Sequence, residues 1–181
     1  MKKIIEFFKQ VGNLKRIKRT GWVLKGIKDP ESVSDHIYRA AVMCMTLGKK
    51  RNLNMSKLLS MTLIHDLGEV ATADIRYEEG GKIIASEQAK NQIEEDILKG
   101  ILPLTGEKDY YLSLWQEFRH QTSPEAKFLK QVEKLEMVLQ ALEYQESGIK
   151  KNKLDEFFEN ARKYISDPEI KELLREIENS R

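Results

Sequence analysis

A chain of 181 residues, 40% of them hydrophobic, is long enough for one domain with a substantial core. Its 31 basic and 29 acidic residues leave a net charge of +2, which gives no argument for or against nucleic acid. The single cysteine, Cys44, excludes an intramolecular disulfide, and the absence of any run of 18 apolar residues excludes a membrane-spanning helix; a reducing cytoplasm is the expected location.

The first segment, MKKIIEFFKQ, reads as a helix over 2–11. Its likeness to a signal peptide is superficial, since Glu6 and Lys9 break the apolar run and no small-residue cleavage site follows. Lys15-Arg16-Ile17-Lys18-Arg19-Thr20-Gly21-Trp22 then mixes bases with one aromatic. The plain explanation is a solvated basic face followed by a core tryptophan. The sharper one is a phosphate clamp with a stacking platform, because the planar guanidinium fork matches phosphate oxygens. Ser32-Val33-Ser34-Asp35 spells a capping box that opens a helix over 32–50. Within it Cys44 reads as a small buried hydrophobe. His36, with Ala40 and Met43 at i+4 and i+7, borders the apolar face and is either a core histidine or a ligand.

Ser56 is placed to cap the next helix, expected over 56–67. Leu58, Leu59, Met61, Leu63 and Ile64 make it apolar nearly all round, as a buried helix is. It runs into HDLGEVATAD, residues 65–74. Charged groups there must reach water, find a partner or bind a metal. His65 and Asp66 project about 100° apart on a helix, so they either grip one ion from adjoining faces or form a satisfied core pair. Glu69 shares the face of His65 if the helix continues. Asp74 follows Ala71, Thr72 and Ala73, small residues that would let the backbone approach a ligand; otherwise it is a cap or turn residue.

Helices are expected next over 86–101 and 107–121, with His120 at the end of the second as a solvated residue or a partner of the helix C-terminus. Ser123-Pro124-Glu125 puts a cap, a first-turn proline and a first-turn acid in order for a helix over 124–147. Phe128, Val132, Leu135, Leu139 and Leu142 form its apolar stripe. Glu133 and Glu136 flank that stripe and are explained most simply as boundary acids paired with Lys130 or Lys134. Helices over 151–165 and, after Asp167-Pro168-Glu169, over 168–179 either complete the core or form a subunit contact. No period-2 strand, repeat or linker interrupts this pattern. The expectation is an all-α fold, a single compact domain over 1–181 with about eight helices.

His36, His65-Asp66 and Glu133 together resemble the signature of the HD-domain metal-dependent phosphohydrolases: a distant histidine, then His-Asp, then a carboxylate on a late helix. The segments LKRTGWVLKGIKDPESVSDHIYRAAVM, LIHDLGEVATADI and SPEAKFLKQVEKLEMVLQALEY resemble one branch, the 5′-deoxynucleotidases (HDDC2/YfbR-like), in order and spacing over about residues 5 to 147. The resemblance implies a helical HD fold with its metal-site core over about 32–147. It implies one divalent ion held by His36, His65, Asp66 and Glu133, whose mixed nitrogen and oxygen set suits Mn, Co, Fe, Ni or Zn better than Mg. The implied reaction releases phosphate from a 5′-deoxynucleoside monophosphate. Glu69 would move a proton at the attacking water. Asp74 would orient the sugar hydroxyl, protonate the leaving oxygen or, with Glu69, hold a second ion. Arg19 would bind the phosphate and Trp22 would pack against the sugar. A small-molecule nucleotide, rather than a nucleic acid polymer or a membrane, is the implied partner, and a homodimer the implied assembly. Two positions depart from the family pattern. Glu133 stands where aspartate is typical, and Gly21 stands directly before Trp22, where bacterial members carry an arginine; the nearest arginine here is Arg19. The same ligand set would serve HD phosphohydrolases of nucleoside triphosphates, alarmones or cyclic nucleotides, and a degraded site would make a non-catalytic nucleotide sensor.

Overall fold

Helical spacing in the sequence becomes helix almost throughout the computed structural model, which describes residues 1–71 and 87–181. In chain order the helices are α1 (Lys2–Asn13), α2 (Thr20–Leu24), α3 (Val33–Gly48), α4 (Met55–Ile64), α5 (Glu87–Ile101), α6 (Lys108–His120), α7 (Pro124–Glu146), α8 (Asp155–Tyr164) and α9 (Pro168–Asn179). Short 3₁₀ turns cover Leu67–Val70, Leu102–Leu104 and Lys151–Lys153. The described residues contain no strand, only an isolated antiparallel bridge between Lys18 and Ser32.

Three of the sequence caps close as the chemistry requires, each side-chain oxygen accepting an orphan backbone N–H. Ser32 accepts from the Asp35 N–H while the Asp35 carboxylate accepts from the Ser32 N–H, a complete capping box. Ser123 accepts from Ala126 N–H, and Asp167 from both Glu169 and Ile170 N–H. Three expectations need correction. The cap of α4 is Asn54, which accepts from Lys57 N–H at 3.0 Å, and not Ser56, because the helix already begins at Met55. That helix also stops at Ile64 instead of running to 67; the chain then tightens into the 3₁₀ turn Leu67–Val70. The segment 151–165 divides into a 3₁₀ turn and α8. The five-residue α2 is too short to leave a periodic signal.

The longest helix, α7, is the centre of the packing, with α3, α4, α6, α8 and α9 all against it. Its buried face runs through Ala126, Leu129, Val132, Leu135, Val138 and Ala141, the i, i+3, i+6, i+9 progression of one helical stripe. One large apolar cluster joins this face to Trp22, Leu58, Phe118, Phe158 and Ile170, and a smaller one gathers Leu14, Val33, Ile37, Ile64, Leu98 and Trp115. Helices α3 and α4 feed both. They run antiparallel: His36 faces His65, Thr62 Oγ1 donates to Cys44 Sγ, and Leu58 approaches Gly48. The start of α3 therefore meets the end of α4, and the polar residues of both emerge at that junction.

Candidate metal centre

The junction is built from two histidines held by different means. His36, wholly buried in the first turns of α3, engages the Glu136 carboxylate of α7 through Nδ1. His65, wholly buried just past α4, engages its own helix, with Nδ1 2.6 Å from the Thr62 carbonyl oxygen. A carboxylate and a carbonyl only accept, so each imidazole in its neutral form carries its proton on Nδ1 and presents a lone pair on Nε2. Both Nε2 atoms are buried and, among the described residues, have no hydrogen-bond partner. Asp66 Oδ2 lies 3.4 Å from His65 Nε2 and 3.9 Å from His36 Nε2. The ligand atoms of His36, His65 and Asp66 all fall within 4.8 Å of one another. Two orphaned buried nitrogens are costly as they stand. Converging on a carboxylate, they make a donor set that fits a divalent transition-metal ion.

The electrostatics agree with that fit. Burial pushes the His65 pKa down, but the Asp66 carboxylate, seconded by Glu133, raises it overall. Burial alone would raise Asp66, yet His65, Arg19 and His36 hold it well below the usual carboxylate range. The centre thus favours positive charge beside an ionised Asp66, and an entering cation would displace a proton to take that role.

Glu133 stands at the edge of this group. Its Oε2 is 4.0 Å from His65 Nε2, while its Oε1 pairs with Lys130 at 2.8 Å and Lys134 at 3.4 Å. Burial opposes ionisation, but the two lysines bring its pKa down to about 2. The lysine pairing expected from the sequence and an approach to the histidine therefore occur on the same carboxylate. For Glu136 the boundary-acid expectation is wrong. Its carboxylate is fully buried, and besides His36 it accepts from Arg39 Nε at 2.9 Å. Glu31, His36 and Glu136 form a second close group of ligand atoms. Its carboxylates are already engaged, Glu31 by the Trp22 Nε1–H at 2.8 Å and Glu136 by His36 and Arg39.

Beside the three donors lies a pocket of about 190 Å³ lined by Arg19, Thr20, Gly21, Trp22, Glu69, Lys90, Met137 and Phe157. Backbone pairing across the Lys18–Ser32 bridge, including Arg19 N–H to Glu31 carbonyl at 3.0 Å, fixes Arg19 here, and its Nη1 donates to Asp66 Oδ2 at 3.1 Å. Trp22 is 1% exposed, packed against Phe157 with centroids 4.1 Å apart and edge-on to Tyr144 at 5.2 Å. It is a fixed wall, not an open stacking platform. A Cβ at Gly21 would meet the Phe157 ring at 3.4 Å, so that ring occupies the space beside this glycine. Glu69 is buried on the 3₁₀ turn and accepts from Lys90 Nζ at 3.4 Å. Asp74 lies outside the described residues. His120 is exposed at the end of α6, as a solvated residue should be.

Sequence reasoning did not single out Lys90, Arg119 or Gly68. Arg119 stacks over Trp115, donates to Glu94, and sends Nη2 to 3.4 Å from the His65 carbonyl and 4.0 Å from Asp66 Oδ1. No local motif marks it, because its partners come from other elements. Gly68 has a readable reason: a Cβ there would stand 2.8 Å from Glu94 Cβ and 3.2 Å from its Cα.

Comparison with known proteins gives a consistent result. Residues 11–174 match the family model of the HD domain. The chain is 39% identical to 5′-deoxynucleotidase HDDC2 of Homo sapiens over 98% of this chain and 86% of that protein. It is also 39% identical to 5′-deoxynucleotidase HDDC2 of Dictyostelium discoideum, covering 100% of both. A crystal structure of a Pyrococcus horikoshii protein superimposes with a TM-score of 0.77 at 30% identity, over 98% of this chain and 99% of that one.

Proposed function

This chain belongs to the HD domain family, and we propose that it is a metal-dependent 5′-deoxynucleotidase, converting a 5′-deoxynucleoside monophosphate and water to a deoxynucleoside and phosphate. The orphaned Nε2 atoms of His36 and His65, facing Asp66 with Arg19 at its side, carry this proposal. His36, His65 and Asp66 are the proposed ligands, with Glu133 the fourth through the oxygen that faces His65. When bound, a divalent cation supplies Lewis acidity, making water nucleophilic near neutral pH and offsetting charge on the phosphoryl oxygens.

The chain's own residues do the rest by position and charge, which is most of what phosphoryl transfer requires. Arg19 presents its guanidinium to the phosphate from the pocket wall, already oriented by Asp66. Glu69, buried beside the same pocket, takes the proton of the attacking water. Trp22 cannot swing, because Glu31 holds its Nε1 and Phe157 and Tyr144 hold its ring. A rigid wall of this kind limits room at the sugar, though steric exclusion of one hydroxyl is worth only about 10²-fold. Asp74 is the proposed contact to the sugar hydroxyl or leaving oxygen or, with Glu69, to a second ion. A phosphate-release assay over deoxynucleoside monophosphates and their ribose counterparts, with Mn, Co, Ni, Zn and Mg, tests the proposal. Turnover of the deoxy series is expected with at least one transition ion. Turnover confined to ribonucleotides, nucleoside triphosphates or cyclic nucleotides contradicts it.

We also propose a homodimer. Phe8 of α1, Tyr38 of α3 and Leu63 of α4 line one apolar groove and are 63%, 73% and 56% exposed, a face that a second copy could cover. Light scattering should then give twice the 21.1 kDa chain mass, and a monomer mass contradicts the proposal.

A further inference from the structure

We propose that Glu136 is the positioning residue that aims His36 at its cation, and that Arg39 holds Glu136 in place for that task; the inference rests on the metal-centre reading of His36. The two residues meet 100 positions apart in the chain, across the α3–α7 packing. Both carboxylate oxygens of Glu136 are spoken for: Oε2 accepts from His36 Nδ1, and Oε1 accepts from Arg39 Nε at 2.9 Å, with Arg39 Nη2 at 2.8 Å. Glu136 thus reaches the centre through the His36 imidazole, with Arg39 fixing its other oxygen.

A neutral imidazole carries one proton, and the acceptor at one nitrogen decides which nitrogen keeps its lone pair. With Glu136 at Nδ1, the lone pair of His36 sits on Nε2, the atom directed toward Asp66. Without that acceptor, Asp66 Oδ2, 3.9 Å from Nε2, is the nearest alternative, and a proton drawn to Nε2 would remove the ligand lone pair. His65 needs no such side chain, because the Thr62 carbonyl of its own helix does the same work. The dependence on a remote carboxylate is thus specific to His36.

Arg39 is the second half of the device. A buried carboxylate is costly unless its charge is matched. The Arg39 guanidinium grips Glu136, and also reaches Glu143 at 2.6 Å and Gln140 at 2.6 Å, so it is anchored along α7.

Two measurements test the inference. Two-bond proton–nitrogen NMR of the imidazoles in the metal-free wild-type protein, at mildly alkaline pH, should show His36 as the Nδ1–H tautomer; an Nε2–H tautomer overturns the inference. Glu136→Gln keeps the shape but has one acceptor oxygen where two are needed. It should bind Mn²⁺ about 10–100-fold more weakly than wild type, with a tautomer mixture at His36. Arg39→Lys, which keeps the charge and loses the fork, should show a smaller loss in the same direction. A merely structural Glu136 would lower the Tm and leave both readouts unmoved. Folded Glu136→Gln with Mn²⁺ affinity within about two-fold of wild type therefore also overturns the inference. Should that variant not fold, the wild-type tautomer still decides. Failure of the wild-type protein to bind Mn²⁺ would instead overturn the metal-centre reading.

Discussion

The histidines could be found in the sequence because they are polar residues on apolar helix faces: His36 between Val33 and Ala40, His65 directly after the largely apolar run ending at Ile64. Glu136 could not, because a glutamate beside an apolar stripe has the same pattern whether it meets a lysine on the surface or a histidine inside. Glu133, three residues earlier, does take the lysines. Glu69 illustrates a different limit. Its burial and its place in the pocket beside Arg19 come from the 3₁₀ turn, and not from continuation of α4. As the proposed proton acceptor it should be separable from the cation. Glu69→Gln is expected to retain the bound ion and lose about 10²–10⁴-fold in kcat, the usual contribution of general base catalysis. Metal analysis beside steady-state kinetics checks this; loss of the ion would make Glu69 a ligand.

At the scale of elements, what was legible followed from local chemistry, and what was missed followed from tertiary contact. The capping box at Ser32 and the Ser-Pro-Glu start of α7 are local devices, and both form. The end of α4 is not local. After Ile64 the chain must deliver His65 and Asp66 inward and then pass beneath α5, and it does so by tightening into the turn Leu67–Val70. Gly68 permits that passage, since any Cβ would press on the backbone and side chain of Glu94. Gly68→Ala should therefore push α5 away. A stability loss of about 1–3 kcal/mol, typical of overpacking, is expected, read from denaturant unfolding. Because Glu94 also holds Arg119, which approaches Asp66, the variant should in addition weaken cation binding. An unfolding midpoint equal to that of wild type contradicts the tight passage.

For the whole molecule, one long helix sets the geometry. Helix α7 supplies Glu133 and Glu136 from one face region while its apolar stripe packs α3, α4, α6, α8 and α9. Residues widely separated in the chain, from Arg19 to Glu133, thus reach one junction, and that convergence was legible only through resemblance, since helical periodicity gives faces and not partners. The central claim is that His36, His65 and Asp66 jointly hold one divalent cation on which hydrolysis depends. Its most direct measurement is a Mn²⁺ or Co²⁺ titration of chelator-stripped protein, following bound ion and phosphate release from a deoxynucleoside monophosphate together, for wild type and Asp66→Ala. Activity should rise in step with the first tightly bound equivalent, and Asp66→Ala should lose both. Full turnover in the stripped protein under chelator, or a folded Asp66→Ala that keeps its ion and its rate, would contradict the claim.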